Sequence, residues 1–214
     1  MTAILIPVYD KVDMLDVAGP MEMFLWAGMT VDLVAAEPAT LQFRNAFSFV
    51  VSKSFADVAD THYDALWTPG GDPAALACQI NDPKQTYLNF LRDRAGQVQF
   101  TCSVCEGATL LAAAGLLDGY KVTTHWAFTE CLKVNKKIKL AKGHPRWVRD
   151  RNRLTGAGIS AGLDTSLELI RLLMGKKVAK QVQLDTQYFP DPPVSGTIPK
   201  STTCPIPAPQ DCGW

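Results

Sequence analysis

Short apolar runs alternate with helical patterns along most of the chain. Residues 3–8 form a continuous apolar run, which is typical of a parallel strand covered on both faces. Further strands are predicted at 31–36, 65–68, 98–102 and 121–126, with a hairpin or edge pair at 43–55 and a hairpin around Arg151-Asn152. Helices are predicted at 21–27, 83–95, 108–117, 127–134, 163–174 and 178–189. This alternation predicts an α/β fold whose mostly parallel sheet has helices on both faces.

The end of the chain has a different pattern. Residues 190–214 are rich in proline and show neither helical nor strand periodicity. We therefore predict an α/β domain over residues 1–189, followed by an extended proline-rich tail over 190–214 that packs on the domain or on a partner.

A sharp turn is predicted around Cys105. The strand at 98–102 and the helix at 108–117 leave little chain between them, and Gly107 allows the helix to approach the sheet closely. A strand, a tight turn and a helix N-terminus together form a nucleophile elbow, and the unpaired amides of such a helix end favour a thiolate. The alternative is a buried structural cysteine, which is a common role for a free thiol.

Four separate candidate positions lie at the ends of predicted strands. Asp16 lies in the predicted loop after the first strand, ahead of a helix that Gly19-Pro20 would open. The pair Gly70-Gly71, Cys105 and His125 lie at the ends of three later strands. Since ligand sites of open α/β sheets lie beyond the carboxyl ends of the strands, we expect these residues to converge. Position alone equally allows Asp16 to be a helix N-cap.

Charge and composition narrow the partners. The chain has 21 basic and 21 acidic residues, so its formal net charge is zero and electrostatics give no reason to expect nucleic acid or an anionic membrane. Neither a secretory signal nor an apolar run of membrane-spanning length is recognisable. From these observations we expect a cytoplasmic protein without a nucleic-acid or membrane partner.

The six cysteines allow several interpretations. Three disulfides are possible, but a chain with a core of this size does not need them. Cys102 and Cys105 form a C-x-x-C pair, which suits a redox dithiol or half of a zinc site. Without a second such pair or a histidine pair, we expect no metal, and we interpret Cys102 as the last residue of its strand.

Several motifs resemble those of the DJ-1/PfpI superfamily, and in particular of its isonitrile hydratase branch. They are Leu15-Asp-Val-Ala-Gly-Pro20, Pro69-Gly-Gly71, Val104-Cys-Glu-Gly-Ala108, Thr123-Thr-His-Trp126, Gly158-Ile-Ser-Ala-Gly162 and Tyr188-Phe-Pro-Asp-Pro-Pro193. The resemblance implies a flavodoxin-like three-layer α/β sandwich, a homodimer, a nucleophile at Cys105 and a catalytic acid at Asp16. Similar domains occur in transcription regulators, but we expect no DNA-binding segment here.

The residue after the cysteine departs from the pattern of the family. Hydratases often have threonine there and protease-like members histidine, whereas this chain has Glu106. A carboxylate beside the thiol opposes thiolate formation, while the helix N-terminus favours it, so the sign of the net effect stays open. The resemblance also leaves open whether His125 only borders the pocket or takes part in catalysis.

The resemblance implies a lyase that adds water to an isonitrile and releases an N-substituted formamide. In this hypothesis Cys105 attacks the isonitrile carbon, while Asp16 first donates a proton and then activates water. The backbone N–H groups of Gly71 and Glu106 would form an oxyanion hole, and Gly70, His125 and Trp126 would border the substrate. No cofactor is expected. Two alternatives stay open, namely glyoxalase-like or deglycase-like chemistry on α-oxoaldehydes, and a non-enzymatic redox or ligand sensor.

Overall fold

The computed structural model describes residues 1–44, 47–210 and 212. The strands are β1 (Ala3–Pro7), β2 (Thr30–Ala35), β3 (Ala39–Gln42), β4 (Ser48–Val51), β5 (Lys53–Ser54), β6 (Ala65–Thr68), β7 (Phe100–Ser103), β8 (Lys121–Val122), β9 (Lys139–Leu140), β10 (Trp147–Asp150) and β11 (Arg153–Gly156). The helices are α1 (Met14–Trp26), α2 (Pro73–Asn81), α3 (Thr86–Ala95), α4 (Gly107–Ala113), α5 (Thr129–Lys133), α6 (Ala161–Met174) and α7 (Lys176–Asp185). Short 3-10 turns lie at Ala56–Val58 and Trp126–Phe128.

Seven strands form the central sheet, in the order β10-β11-β7-β6-β1-β2-β5. Every neighbouring pair is parallel except β10 and β11, which form the predicted hairpin. Helices α1, α6 and α7 pack together on one face, and α2, α3, α4 and α5 pack on the other. The predicted three-layer α/β sandwich with a mostly parallel sheet is therefore confirmed. The central strands β1 and β6 are almost completely buried because both of their faces are covered.

Helix α1 begins earlier than predicted. Pro20 was expected to open the helix, but it lies inside it, and Asp16 belongs to the first turn instead of a loop. A proline at this position removes the N–H that would donate to the carbonyl four residues before it, which is that of Asp16. The indole N–H of Trp67 donates to this carbonyl instead, at 3.0 Å, and so compensates for the proline.

Four other elements differ from prediction. Helix α2 was not predicted. The helix expected at 83–95 is α3, which begins three residues later, at Thr86. The strand expected at 121–126 is the two-residue β8, which pairs with β9 in a separate small sheet. The hairpin or edge pair expected at 43–55 is only partly confirmed, because the antiparallel hairpin pairs β4 with β3, which lies before this range, and β5 is an edge strand of the central sheet. Residues 45 and 46 lie outside the described residues.

The tail lacks helix and strand over residues 190–210 and at residue 212, as predicted for this segment. The expectation that the chain needs no disulfides was wrong for four cysteines, because Cys131 bonds to Cys204 and Cys78 to Cys212. The size of the core says little about a segment outside it, and both bonds attach the tail to the domain. The boundary between residues 189 and 190 stays a prediction. None of the helices in the described part of the chain is long and apolar enough to cross a membrane.

Candidate active site

Cys105 lies in the turn between β7 and α4, in a strained backbone conformation. Its φ angle is 54°, in the left-handed region that costs a non-glycine residue about 1–3 kcal/mol. The turn persists because its neighbours hold it, and the Cys105 N–H donates to the carbonyl of Ala157 at 2.8 Å. A Cβ on Gly107 would lie 2.1 Å from the Thr68 carbonyl oxygen, so glycine is needed where α4 meets β6. The predicted strand, turn and helix are therefore present.

Asp16 is completely buried and points towards the end of β6. Its Oδ2 accepts from the Gly70 N–H at 2.9 Å, and its carbonyl accepts from Trp67. The N-cap of α1 is Asp13, so Asp16 is not the cap that its position in the sequence allowed. Hydrogen bonds from two residues around β6 thus orient both the side chain and the main chain of Asp16.

Four side chains form a buried cluster, which we call the acid cluster. The carboxyl oxygens of Asp13, Asp16 and Glu106 and the Cys105 sulfur all lie within 4.8 Å of one another. Oδ1 of Asp16 and Oε2 of Glu106 find no hydrogen-bond partner among the residues that the structure describes. A Cβ on Gly70 would lie 2.3 Å from Glu106 Oε2, so the absence of a side chain there leaves room for the cluster.

Burial dominates the electrostatics of the acid cluster. Burial, together with the neighbouring Glu106, raises the pKa of Asp16 well above its ordinary value. Burial raises the pKa of Glu106 to about 7. Burial and the carboxyls of Asp16 and Glu106 also raise the pKa of Cys105, and the facing backbone N–H of Ile159 only partly opposes this. The thiol is therefore protonated at neutral pH, and Glu106 opposes thiolate formation.

The acid cluster also has the atom types that bind cations. Beyond this spacing, nothing in the described part of the chain points to a metal at the cluster. We therefore assign no metal or cofactor to the site.

His125 and Trp126 border a cavity of about 320 Å³ beside Cys105, together with Thr124, His144, Arg146, Ala157, Gly158, Ile159, Ser160 and Ile198. The Thr124 hydroxyl donates to the Cys105 carbonyl at 2.8 Å, so the wall of this cavity contacts the turn directly. Nδ1 of His125 accepts from the Ala127 N–H at 3.2 Å, and partial burial lowers the pKa of His125. The imidazole is therefore neutral at neutral pH, with its proton on Nε2.

The two glycines after β6 have different surroundings. Gly70 faces Asp16 and Glu106, and its N–H is occupied by Asp16. The nearest neighbours of Gly71 are Lys11, Tyr9 and Val12, and it forms an isolated β-bridge with Val12. The structure thus brings together Asp16, Gly70, Cys105 and Glu106, whereas His125 and Trp126 border the adjacent cavity.

Three residues near the cluster were not predicted. Asp13 was recognisable, because residues three apart on a helix share a face and Asp13 precedes Asp16 by three. Arg44 lies 3.9 Å from Asp13 and 3.7 Å from Asp72, and a distant loop residue leaves no comparable signal in the sequence. Ile159 has a φ of 22°, and such strain in a β-branched residue appears only in the structure.

The chain belongs to the DJ-1/PfpI family, whose model matches residues 2–172. It is 34% identical to an isonitrile hydratase of Pseudomonas putida over 192 aligned residues. This alignment covers 89% of this chain and 80% of the relative. A crystal structure of a THiJ/PfpI family protein from Pseudomonas syringae has a TM-score of 0.80 and 34% identity, over 90% of this chain and 77% of that one. Drosophila melanogaster DJ-1beta, at 19% identity over 87% of this chain and 97% of its own, has a TM-score of 0.76 and shares the fold.

Proposed function

We propose that this protein is an isonitrile hydratase, which converts an isonitrile and water into an N-substituted formamide. The observation that carries the proposal is the juxtaposition, within 4.8 Å, of a cysteine in a strained turn and a buried aspartic acid whose pKa is raised by burial. A protonated acid beside a thiol suits an electrophile that must gain a proton as the carbon–sulfur bond forms. The similarity to the Pseudomonas putida enzyme supports the same chemistry.

In the first half of the reaction, the sulfur of Cys105 attacks the isonitrile carbon. The thiol proton passes to the Glu106 carboxylate as the carbon–sulfur bond forms, and Asp16 donates its proton to the same carbon. The product is a thioimidate, in which the carbon carries one hydrogen and a double bond to nitrogen. Because the Cys105 thiol is protonated at neutral pH, it needs a nearby proton acceptor, and Glu106 is half ionised near pH 7.

In the second half, water attacks the thioimidate carbon. The Asp16 carboxylate takes a proton from the water, and Glu106 returns its proton to the nitrogen. The carbon–sulfur bond then breaks, the hydroxyl proton passes to the sulfur, and the formamide leaves. Asp16, Glu106 and Cys105 are all restored to their starting protonation states.

The substrate would lie in the cavity beside Cys105. Trp126, Ile159 and Ile198 provide apolar surface there for the substituent on nitrogen, and His125 offers the N–H at Nε2. The backbone N–H of Glu106 remains the oxyanion donor that we propose near the reacting carbon. Gly71 is the weaker half of the proposed oxyanion hole, because its nearest neighbours are Tyr9, Lys11 and Val12.

Two substitutions test this mechanism with cyclohexyl isocyanide as the substrate. Cys105→Ala should abolish formamide production, because no covalent intermediate can form. Asp16→Asn should lower kcat by about 100-fold or more, the usual effect of losing a general acid. The product is measured by liquid chromatography, and circular dichroism checks that each variant folds.

Cys102→Ala is the matched control, since Cys102 is equally buried and lies in the adjoining strand. It should retain turnover. Substantial formamide production by Cys105→Ala would exclude covalent catalysis, and a loss of only a few-fold in Asp16→Asn would leave Asp16 a structural role. Turnover of methylglyoxal but not of the isocyanide would support the glyoxalase-like alternative. The homodimer expected from the family is likewise a proposal, which light scattering in solution measures directly.

A further inference from the structure

The proline-rich tail reaches the cavity beside Cys105. Ile198 is among the residues that line this cavity, although it is far from the others in sequence. Three of the other lining residues contact Cys105 itself, through the hydroxyl of Thr124, the carbonyl of Ala157 and the backbone N–H of Ile159. The tail therefore borders the same cavity as three residues that contact Cys105, which is itself buried behind this wall.

Two contacts beyond Ile198 fix the tail to the segment that carries His125 and Trp126. The Ser201 hydroxyl donates to the carbonyl of Ala127 at 2.9 Å, and Ser201 is only 8% exposed. Cys204 then bonds to Cys131 in α5, which follows the same 3-10 turn. The Cys131–Cys204 disulfide is therefore close in sequence to the cavity on both sides, since Cys204 follows Ile198 by six residues and Cys131 follows Trp126 by five.

The second disulfide attaches the tail elsewhere. Cys212 bonds to Cys78 in α2, and both line a different cavity, which also includes Lys11, Arg44 and Asp72. This bond holds the far end of the tail, and the residues that line its cavity are all different from those that line the cavity beside Cys105. Removing one disulfide or the other therefore frees a different part of the tail.

We propose that the tail is the outer wall of the cavity beside Cys105, closed by the Cys131–Cys204 disulfide, and that Ile198 limits the size of the group that enters. Ile198 faces a cavity to which Trp126, Ala157 and Ile159 also contribute apolar surface, and this surface suits a compact hydrocarbon substituent. That this group belongs to the substrate rests on the proposed function. The closure of the cavity by the tail does not.

The test measures access to Cys105 without any turnover. Alkylation of Cys105 is followed by mass spectrometry with iodoacetamide as the small probe and N-cyclohexylmaleimide as the bulky one, and Cys105→Ala gives the background. The measured quantity is the rate of alkylation by the bulky probe divided by the rate with the small probe, because a change in the reactivity of the thiol affects both rates and cancels in this ratio. Cys131→Ser with Cys204→Ser, which leaves no new thiol, should raise this ratio about tenfold, since a local opening of the tail then becomes easy.

Cys78→Ser with Cys212→Ser is the matched control and should leave the ratio unchanged. Two variants keep both disulfides, so they remain informative if the serine variants fold poorly. Ile198→Trp should lower the ratio and Ile198→Ala should raise it, whereas Val194→Ala, another exposed aliphatic residue of the tail, should not change it. An unchanged ratio in the Ile198 variants, or an increase only when Cys78–Cys212 is removed, would overturn the proposal. If the ratios change as expected but the protein does not hydrate the isocyanide, the proposed substrate is contradicted and the closure of the cavity by the tail is not.

Discussion

At the scale of single residues, burial and the carboxyls of Asp16 and Glu106 set the charge state of Cys105. The sequence left open whether the helix N-terminus or the neighbouring carboxylate dominates the pKa of Cys105. The structure shows that burial raises this pKa most and that the carboxyls of Asp16 and Glu106 raise it further. Glu106 is only 3% exposed and turns into the acid cluster, where bulk solvent screens its charge little. The side chain does not cap α4 within the described chain, so capping does not explain its inward position.

The pH dependence of Cys105 reactivity follows from this placement. Burial raises the pKa of Glu106 to about 7, and its ionised form raises the pKa of Cys105. Below pH 7 the thiolate should therefore increase with pH, and above pH 7 the increase should flatten, because each newly ionised Glu106 makes the thiol harder to deprotonate. In Glu106→Gln the thiolate should continue to rise through this range.

The rate of alkylation by iodoacetamide between pH 5 and 9 (about two units on each side of the midpoint) measures this difference. Asp13, Asp16, Tyr9 and Arg44 also face Glu106 and remain in both proteins, so the comparison isolates one carboxyl. Asp72→Asn, which removes a charge paired with Arg44, is a control that should keep the flattening. Identical profiles for the wild type and Glu106→Gln would show that the two groups do not interact.

At the scale of elements, the contact between α4 and β6 positions the turn. In Gly107→Ala the new Cβ would lie 2.1 Å from the Thr68 carbonyl oxygen and 3.0 Å from the Pro69 carbonyl carbon. Both are backbone atoms that cannot rotate away, so the helix and the strand must separate. We expect a loss of about 3 kcal/mol in the free energy of unfolding, at the upper end for overpacking.

Urea unfolding measures this loss, and Gly96→Ala is the matched control. At Gly96 the nearest atom to a new Cβ is 3.7 Å away, and its φ of −77° suits any residue. Equal stability of the two variants would mean that α4 can move away from β6 at little cost.

The central strands were predictable because continuous apolar runs are typical of strands buried on both faces. The turn at Cys105 was predictable because Gly107 follows a strand and begins a helix of strong helix formers. The start of α1 was not, since Pro20 at an interior position depends on a hydrogen bond from Trp67, which is distant in sequence. The place of His125 was only partly predictable, because β8, the strand before it, lies outside the central sheet.

At the scale of the whole molecule, the tail is the part that the sequence described least well. Proline content predicted an extended segment, but pairings among six cysteines cannot be deduced from their spacing. The structure pairs each tail cysteine with one in the domain and leaves Cys102 and Cys105 free. Disulfides persist in oxidising compartments and are rare in the cytoplasm. The expected cytoplasmic location therefore predicts that these four cysteines are reduced in the cell, whereas the structure predicts that they are oxidised to two disulfides.

Counting free thiols decides between them. Thiols are trapped by alkylation during acid extraction from the producing cells, and the denatured protein is weighed by mass spectrometry. Because two disulfides occupy four of the six cysteines, we expect alkyl groups on Cys102 and Cys105 alone, and on all six after dithiothreitol. Six alkyl groups before reduction would instead mean that the cell keeps the tail unattached, so that the wall beside Cys105 closes only after oxidation. Purified protein equilibrated in an oxidising glutathione buffer is the control, since it should carry both disulfides in either case.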